Sequence, residues 1–259
     1  MSRISRSDLR ELLLSTGEAI LLEEGVGCGL DHLTFPRVFD RVEAQHGRRI
    51  TRASVYDRVW ANQADYQWDV LARVVSTPPA IEDWTYERIR HVLAAADLSS
   101  EDGRLATMGE LCGLAVEQHV NEASRRQKDR IAIAALGAVA SAADGLTDPD
   151  GAERVHDALR QRLENETEET IELFGEIGAR LGFRMREPLE LRQLVLVINA
   201  LGEGIAIRMN FFPDYAAPIV MPSPVEGEPD VVWSLAGRGV EAIASSMLEL
   251  DPDWVAPSS

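Results

Sequence analysis

The sequence predicts an all-α protein, on three observations. Apolar residues recur at helical spacing in nearly every segment, Ser, Thr and Asn caps alternate with Gly and Pro breaks, and no alternating apolar–polar run of useful length marks a strand. Ser5-x-x-Asp8 is a capping-box pattern that opens a first helix, and the stripe Leu9, Leu12, Leu13, Thr16 and Ile20 runs along it to Gly25. Gly25-Val26-Gly27-Cys28-Gly29 has the look of a phosphate-cradling loop, but it follows a helix rather than a strand and reads as a helix stop. Thr34 caps a second helix, with Pro36 in its first turn and Val38, Phe39 and Val42 facing inward. A short third helix starts at Thr51 as N-cap; Val55 and Val59, four apart, face the core, while Arg52, Ser54, Asp57 and Arg58 face out. Asn62, followed three residues later by Asp65, opens a fourth helix that runs to about Val75, and Thr77-Pro78-Pro79 then breaks the chain.

Past that break the pattern stays helical. Candidate helices cover 84–97, 104–124, 127–143, 151–182, 188–209 and 231–250, with Gly103, Gly145 and Gly182 as punctuation. Segment 188–209 is the most hydrophobic; Pro188 opens it, and Gly202 and Gly204 inside it each cost ~1 kcal/mol against Ala unless close packing needs them. A proline-rich loop spans 212–230. In 231–250 the residues Val232, Leu235, Ala236, Val240, Ile243 and Met247 form one stripe. The chain therefore divides into residues 1–75, a larger helical region at 80–250, and a C-terminal tail at 251–259.

Composition excludes several classes. Hydrophobic residues at 45% suffice for a core, and no run approaches the ~18 uninterrupted apolar residues of a spanning helix, so no membrane partner is expected. The N-terminus lacks a small-residue cleavage site after an apolar run, and Cys28 and Cys112 are too few for a disulfide framework or zinc module; a cytoplasmic setting fits. The net charge of −17 is unevenly spread. Residues 1–75 hold ten Arg against eleven acids, whereas residues 36–58 hold six Arg against three acids, a local +3. Attraction to a polyanion depends on charge within a Debye length, ~8–10 Å, of the phosphates, not on the total.

Residues 47–71, GRRITRASVYDRVWANQADYQWDVL, carry the most functional information. A turn, a short polar helix with Arg and hydroxyl residues, a second turn at Ala61-Asn62 and an amphipathic helix are how a helix-turn-helix DNA reader ends. From Leu9 to Leu71 the chain resembles the N-terminal domain of the tetracycline-repressor (TetR) family of transcriptional regulators. The matching features are Glu24-Gly25, Thr34, Thr51-Arg52-Ala53-Ser54-Val55-Tyr56, Trp60 and Asn62-Gln63. The resemblance implies an N-terminal three-helix domain joined by a fourth helix to a helical-bundle domain for ligand binding and dimerisation. It implies double-stranded operator DNA as partner, with Arg48, Arg49, Thr51, Arg52, Ser54, Tyr56 and Arg58 in or near the major groove. Thr34, Arg37, Asn62 and Gln63 would meet the DNA backbone at helix N-termini. It also implies a homodimer through helices 188–209 and 231–250, and a small-molecule effector. Two features depart from the family pattern: about half a dozen extra residues between Val42 and Ile50, and a neutral Gln63 where the family often has Lys.

Catalytic and metal motifs are missing from the sequence: there is no His-Glu-x-x-His, Gly-x-Ser-x-Gly, phosphate-binding Gly-x-x-x-x-Gly-Lys or Cys pair, and neither an enzyme nor a cofactor is expected. Glu43/His46 and Glu153/His156 have Glu-x-x-His spacing but lie on polar segments and read as solvated faces. His119, with Gln118 and Glu122, interrupts an apolar helix and is either a structural histidine or part of a ligand cavity. Met108, Cys112 and Phe174 have the same two readings, core or pocket, with core as the default. The rival function is a helical interaction module whose N-terminal domain no longer binds DNA.

Overall fold

Ser5 opens the first helix as its spacing predicts, accepting the Asp8 N–H at 3.1 Å. The computed structural model describes residues 4–27, 29–56, 58–77, 83–123, 127–141, 149–209, 211–212, 214, 219–221 and 231–256, with backbone only at 83–85, 115–123, 140–141, 149, 221 and 231–233. The helices are α1 (Arg6–Glu24), α2 (Phe35–His46), α3 (Arg52–Val55), α4 (Gln63–Ser76), α5 (Asp83–Ala95), α6 (Glu101–Ala123), α7 (Gln127–Ser141), α8 (Pro149–Leu181), α9 (Leu191–Met209) and α10 (Leu235–Met247). Three-residue strands β1 (Phe183–Met185), β2 (Ile219–Met221), β3 (Val231–Trp233) and β4 (Leu248–Leu250) pair antiparallel as β1–β4 and β2–β3. The protein is thus all-α, an N-terminal three-helix segment linked by α4 to a larger helical bundle.

Two details differ from the sequence reading. The helix placed at 188–209 begins at Leu191, because Leu189 N–H closes a turn onto Arg186 O and the Gln193 side chain takes the Glu190 N–H. The helix placed at 231–250 is confined to Leu235–Met247: Ser234 caps it, accepting Gly237 N–H at 2.9 Å, and both flanks pair as strands. Strands three residues long are too short for alternation to register.

The chain forms two compact units, Met1–Pro78 with Gln127–Glu164, and Pro79–Arg126 with Asn165–Ser259. The first unit therefore recruits α7 and the first half of α8, well beyond the break drawn at residues 75–80. Its core joins Leu13, Ile20, Phe35, Val38, Val55 and Tyr66 to Ile131, Val155 and Leu159, all buried. Tyr66 sits at the α1–α4 crossing, donating to Leu13 O at 2.9 Å, and burial pushes its hydroxyl pKa up. Gly17 makes that crossing possible: a Cβ there would lie 2.2 Å from the Tyr66 hydroxyl and 2.7 Å from Val70.

Charges lace the same unit. Glu18 of α1 receives Lys128 of α7 at 2.7 Å and Arg73 of α4 at 2.8 Å. Burial disfavours the Glu18 carboxylate, but the hydrogen bonds from Lys128 and Arg73 outweigh it and the pKa is lowered. Deeper in, Arg162 of α8 and Asp129 of α7 form an ion pair at 2.7 Å, both nearly inaccessible, and Arg162 also donates to Thr77 O at 3.0 Å. Such a pair adds little net stability, but breaking it leaves an uncompensated buried charge.

In the second unit, Ile89, Leu93, Met108, Leu111, Leu181 and Phe183 form one buried cluster, and Leu194, Ile198, Ile205, Ala236 and Val240 of α9 and α10 form another. α10 lies close on α6 because both carry glycine where they meet; a Cβ on Gly237 would stand 3.0 Å from the Gly113 Cα.

Gly17→Ala is expected to cost about 1–3 kcal/mol in urea unfolding, the usual penalty of overpacking where neighbours cannot retreat. Glu18→Gln is expected to cost about 1–2 kcal/mol at pH 7. The folded pKa of Glu18 lies below the ordinary value of 4.5, so its stabilisation is complete above that value and is lost as pH falls through the folded pKa. Unfolding curves of wild type and variant should accordingly converge at low pH.

Candidate nucleic-acid interface

α3 is a single turn. The sequence pattern carries it through Val59, but Tyr56 takes an extended backbone (φ −61°, ψ 140°), and the amides of Val59 and Trp60 both fold back to the Val55 carbonyl. The reason is aromatic packing. Tyr56 meets Phe35 edge-on at 5.3 Å, and Trp60 packs on Tyr66 at 4.9 Å, which draws the chain out of the helix after one turn. Val55 is buried and Val59 partly so; the inward facing of both holds, but a turn achieves it.

Several residues nominated from sequence are occupied within the protein. The Ser54 hydroxyl donates to Thr51 O at 2.6 Å and accepts the Thr51 N–H, closing the turn that starts α3. Asn62 caps α4 by accepting the Asp65 N–H at 2.9 Å. Thr34 makes no side-chain cap bond; the Phe35 N–H at the start of α2 instead donates to Gln63 Oε1 at 3.2 Å. A neutral amide at residue 63 can accept that bond, which a lysine cannot. Gln67, one turn on, donates to Leu30 O and Leu33 O and fixes the loop before α2. Arg37 forks onto Glu24, and Arg41 onto Glu23.

The arginines near α3 differ. Arg49, Arg52 and Arg58 are exposed and Arg48 partly so, and none has an ion-pair partner among the described residues. Elsewhere in the first 77 residues Arg10 pairs with Asp69, Arg37 with Glu24, Arg41 with Glu23 and Arg73 with Glu11 and Glu18. Arg10, Arg37, Arg41 and Arg73 are thus neutralised on α1, α2 and α4, whereas Arg6 at the start of α1 and the four arginines between 48 and 58 have no such partner among the described residues. Asp57 lies outside the described residues.

Two residues that sequence reasoning missed hold the segment in place. Asp69 of α4 accepts from the Trp60 indole at 2.8 Å and from Arg10 at 2.6 Å, and Arg154 of α8 approaches it at 3.2 Å. Asp69 had a weak local signal, an acid one turn after Asp65 on an amphipathic helix. Arg154 had none, since nothing in the sequence says that α8 meets α4.

The nominated ligand residues lie in the second unit. Met108 is buried in the α5–α6 cluster; Cys112, one turn along, touches both clusters of that unit; and Phe174 packs against the α9–α10 cluster. The side chain of His119, on α6, lies outside the described residues. Burial, with a smaller contribution from Glu241, pushes the Cys112 thiol up to about 12. Among the described residues no group of His, Cys, Asp and Glu could hold a metal ion, and no helix is long and apolar enough to cross a membrane.

Comparison with models of known families and with curated proteins finds no match for the chain.

Cys112 is a thiol at neutral pH and a poor nucleophile. In a Cys28→Ser background, native protein at pH 8 should react with a thiol reagent at least about a hundredfold more slowly than urea-unfolded protein. Comparable rates in the two states would refute its packing.

Proposed function

We propose that the chain is a DNA-binding transcriptional regulator of the tetracycline-repressor type, a ligand-responsive repressor that binds a palindromic operator as a homodimer. The carrying observation is the set of arginines at 48, 49, 52 and 58, without ion-pair partners among the described residues, around a capped turn backed by α1, α2 and α4. Phosphate binding needs cations that are not already neutralised, and the absence of ion-pair partners for these four among the described residues supports that reading. Arg52 and Ala53 on α3 and Arg58 in the turn after it would enter or border the major groove, with Arg48 and Arg49 toward the flanking phosphates.

Dimerisation is supported by α9, where Leu196 and Ile207 lie three turns apart on one face and remain 48% and 42% exposed, and by Leu235 of α10, 47% exposed. A two-fold dimer would set two reading segments about 34–36 Å apart, one DNA turn, or a multiple of it. The effector would bind in the second unit, near Met108, Cys112 and Phe174, and would act only by binding two states with different affinity.

A specific observation favours the second reading, an interaction module that has lost DNA binding. Ser54, Asn62, Gln63 and Arg37 are all engaged internally, so fewer donors remain for phosphates than the family pattern implies.

In vitro selection of bound duplexes, followed by anisotropy titration at two salt concentrations, separates these readings. Arg52→Ala with Arg58→Ala is expected to weaken binding at least about tenfold and to flatten the log–log salt slope by about one unit for each phosphate no longer neutralised. Wild-type protein that enriches no duplex supports the interaction module.

A further inference from the structure

Asp69 is a junction of three elements. Its Oδ2 takes hydrogen bonds from Arg10 of α1 at 2.6 Å and from the Trp60 indole at 2.8 Å. On the other side Arg154 Nε of α8 stands 3.2 Å from Oδ1, an ion pair without hydrogen-bond alignment, while Arg154 Nη2 reaches Asp65 one turn earlier at 3.5 Å. The Asp69 side chain is only 16% exposed, so its charge depends on these donors rather than on water.

What Asp69 holds is the exit from α3. Trp60 is 5% exposed, stacks edge-on with Tyr66, lies beneath the Arg10 guanidinium at 5.7 Å, and returns its own amide to Val55. A one-turn helix has no stability of its own, so the pose of Arg52 and Arg58 follows from how firmly this turn is pinned. α8 is seated on α4 independently of Arg154. A Cβ on Gly151 would lie 2.2 Å from the Trp68 ring, and Arg162 binds the Thr77 carbonyl at the far end of α4.

We propose that Arg154 is a positioning residue for the reading segment: through Asp69 it holds the Trp60 indole and the turn after α3, so a side chain far outside the N-terminal 75 residues sets the pose of the arginines that meet DNA. Removing Arg154 leaves Asp69 with Arg10 and Trp60, which preserves the fold but frees the carboxylate to swing toward Arg10. The claim about DNA rests on the proposed function; the claim about the turn does not.

The test uses the full chain with Arg154→Ala, Arg154→Lys and the control Arg160→Ala, a position on the same helix that pairs with Glu164 at 3.1 Å. Three readouts are taken: the Trp60 indole N–H resonance (assigned with Trp60→Phe), hydrogen exchange of the amides from Val55 to Trp60, and affinity for a selected duplex. Arg154→Ala is expected to shift the indole signal, to speed exchange of those amides about tenfold, and to weaken DNA binding severalfold, with the unfolding midpoint nearly unchanged. Arg154→Lys should restore most of the wild-type signal, and Arg160→Ala should leave all three alone. An unmoved Trp60 signal in Arg154→Ala, an equal change in Arg160→Ala, or a shifted indole with undiminished affinity overturns the proposal. If the wild type binds no duplex, the regulator reading falls, while the indole and exchange data still decide what Arg154 does to the turn.

Discussion

Phe35 is the residue on which the N-terminal unit turns. It is fully buried at the first position of α2 and packs with Phe39 of its own helix, Tyr56 and Trp60 beyond α3, and Tyr66 of α4. Each ring buries a large apolar area, and the edge-on contacts of Phe35 with Tyr56 and of Trp60 with Tyr66 restrict orientation as well. A helix of four residues cannot persist in water by itself, so α3 exists because the rings on both sides of the turn are fixed. The polar end of the cluster is satisfied at the same time: Tyr66 bonds to Leu13 O, and Trp60 to Asp69. Neither the phenol nor the indole is buried without an acceptor.

Charge is partitioned around that core. Arg10, Arg37, Arg41 and Arg73 are folded into pairs that tie helix to helix, Arg73 spanning Glu11 and Glu18. Exposed pairs of this kind contribute little stability each, typically ~0–1 kcal/mol, so their main consequence is to cancel charge locally. The arginines at 48, 49, 52 and 58 escape such cancellation by the described residues. A chain of net charge −17 thereby keeps a short cationic stretch, which is the feature the proposed regulator would use.

The helices of the first 77 residues were legible because their signals are local. Ser5 and Asn62 cap where spacing places them, and Gly25 and Gly47 end α1 and α2 at positive φ. The length of α3 was not legible, because the Tyr56 and Trp60 anchors that end it act through Phe35 and Tyr66, which lie outside the segment. Gln63 shows the same limit. From sequence it is a lost cation; in the fold it is the acceptor that completes the start of α2. The flanks of α10 were hidden for another reason, since three-residue strands carry no periodicity of their own.

The all-α class, the order of the first four helices, the basic stretch at 48–58 and the apolar character of α9 all follow from composition and near-neighbour spacing. Three other features emerge only once the chain is folded: which of those arginines remain without an ion-pair partner, how far α3 extends, and that α7 and the first half of α8 pack with the N-terminal helices. Pairing and packing are settled between groups remote along the chain, such as Asp69 with Arg154 or Glu18 with Lys128. The Ser5, Asn62 and Ser234 caps each lie three residues from the N–H they satisfy; an ion-pair partner can come from anywhere in the sequence.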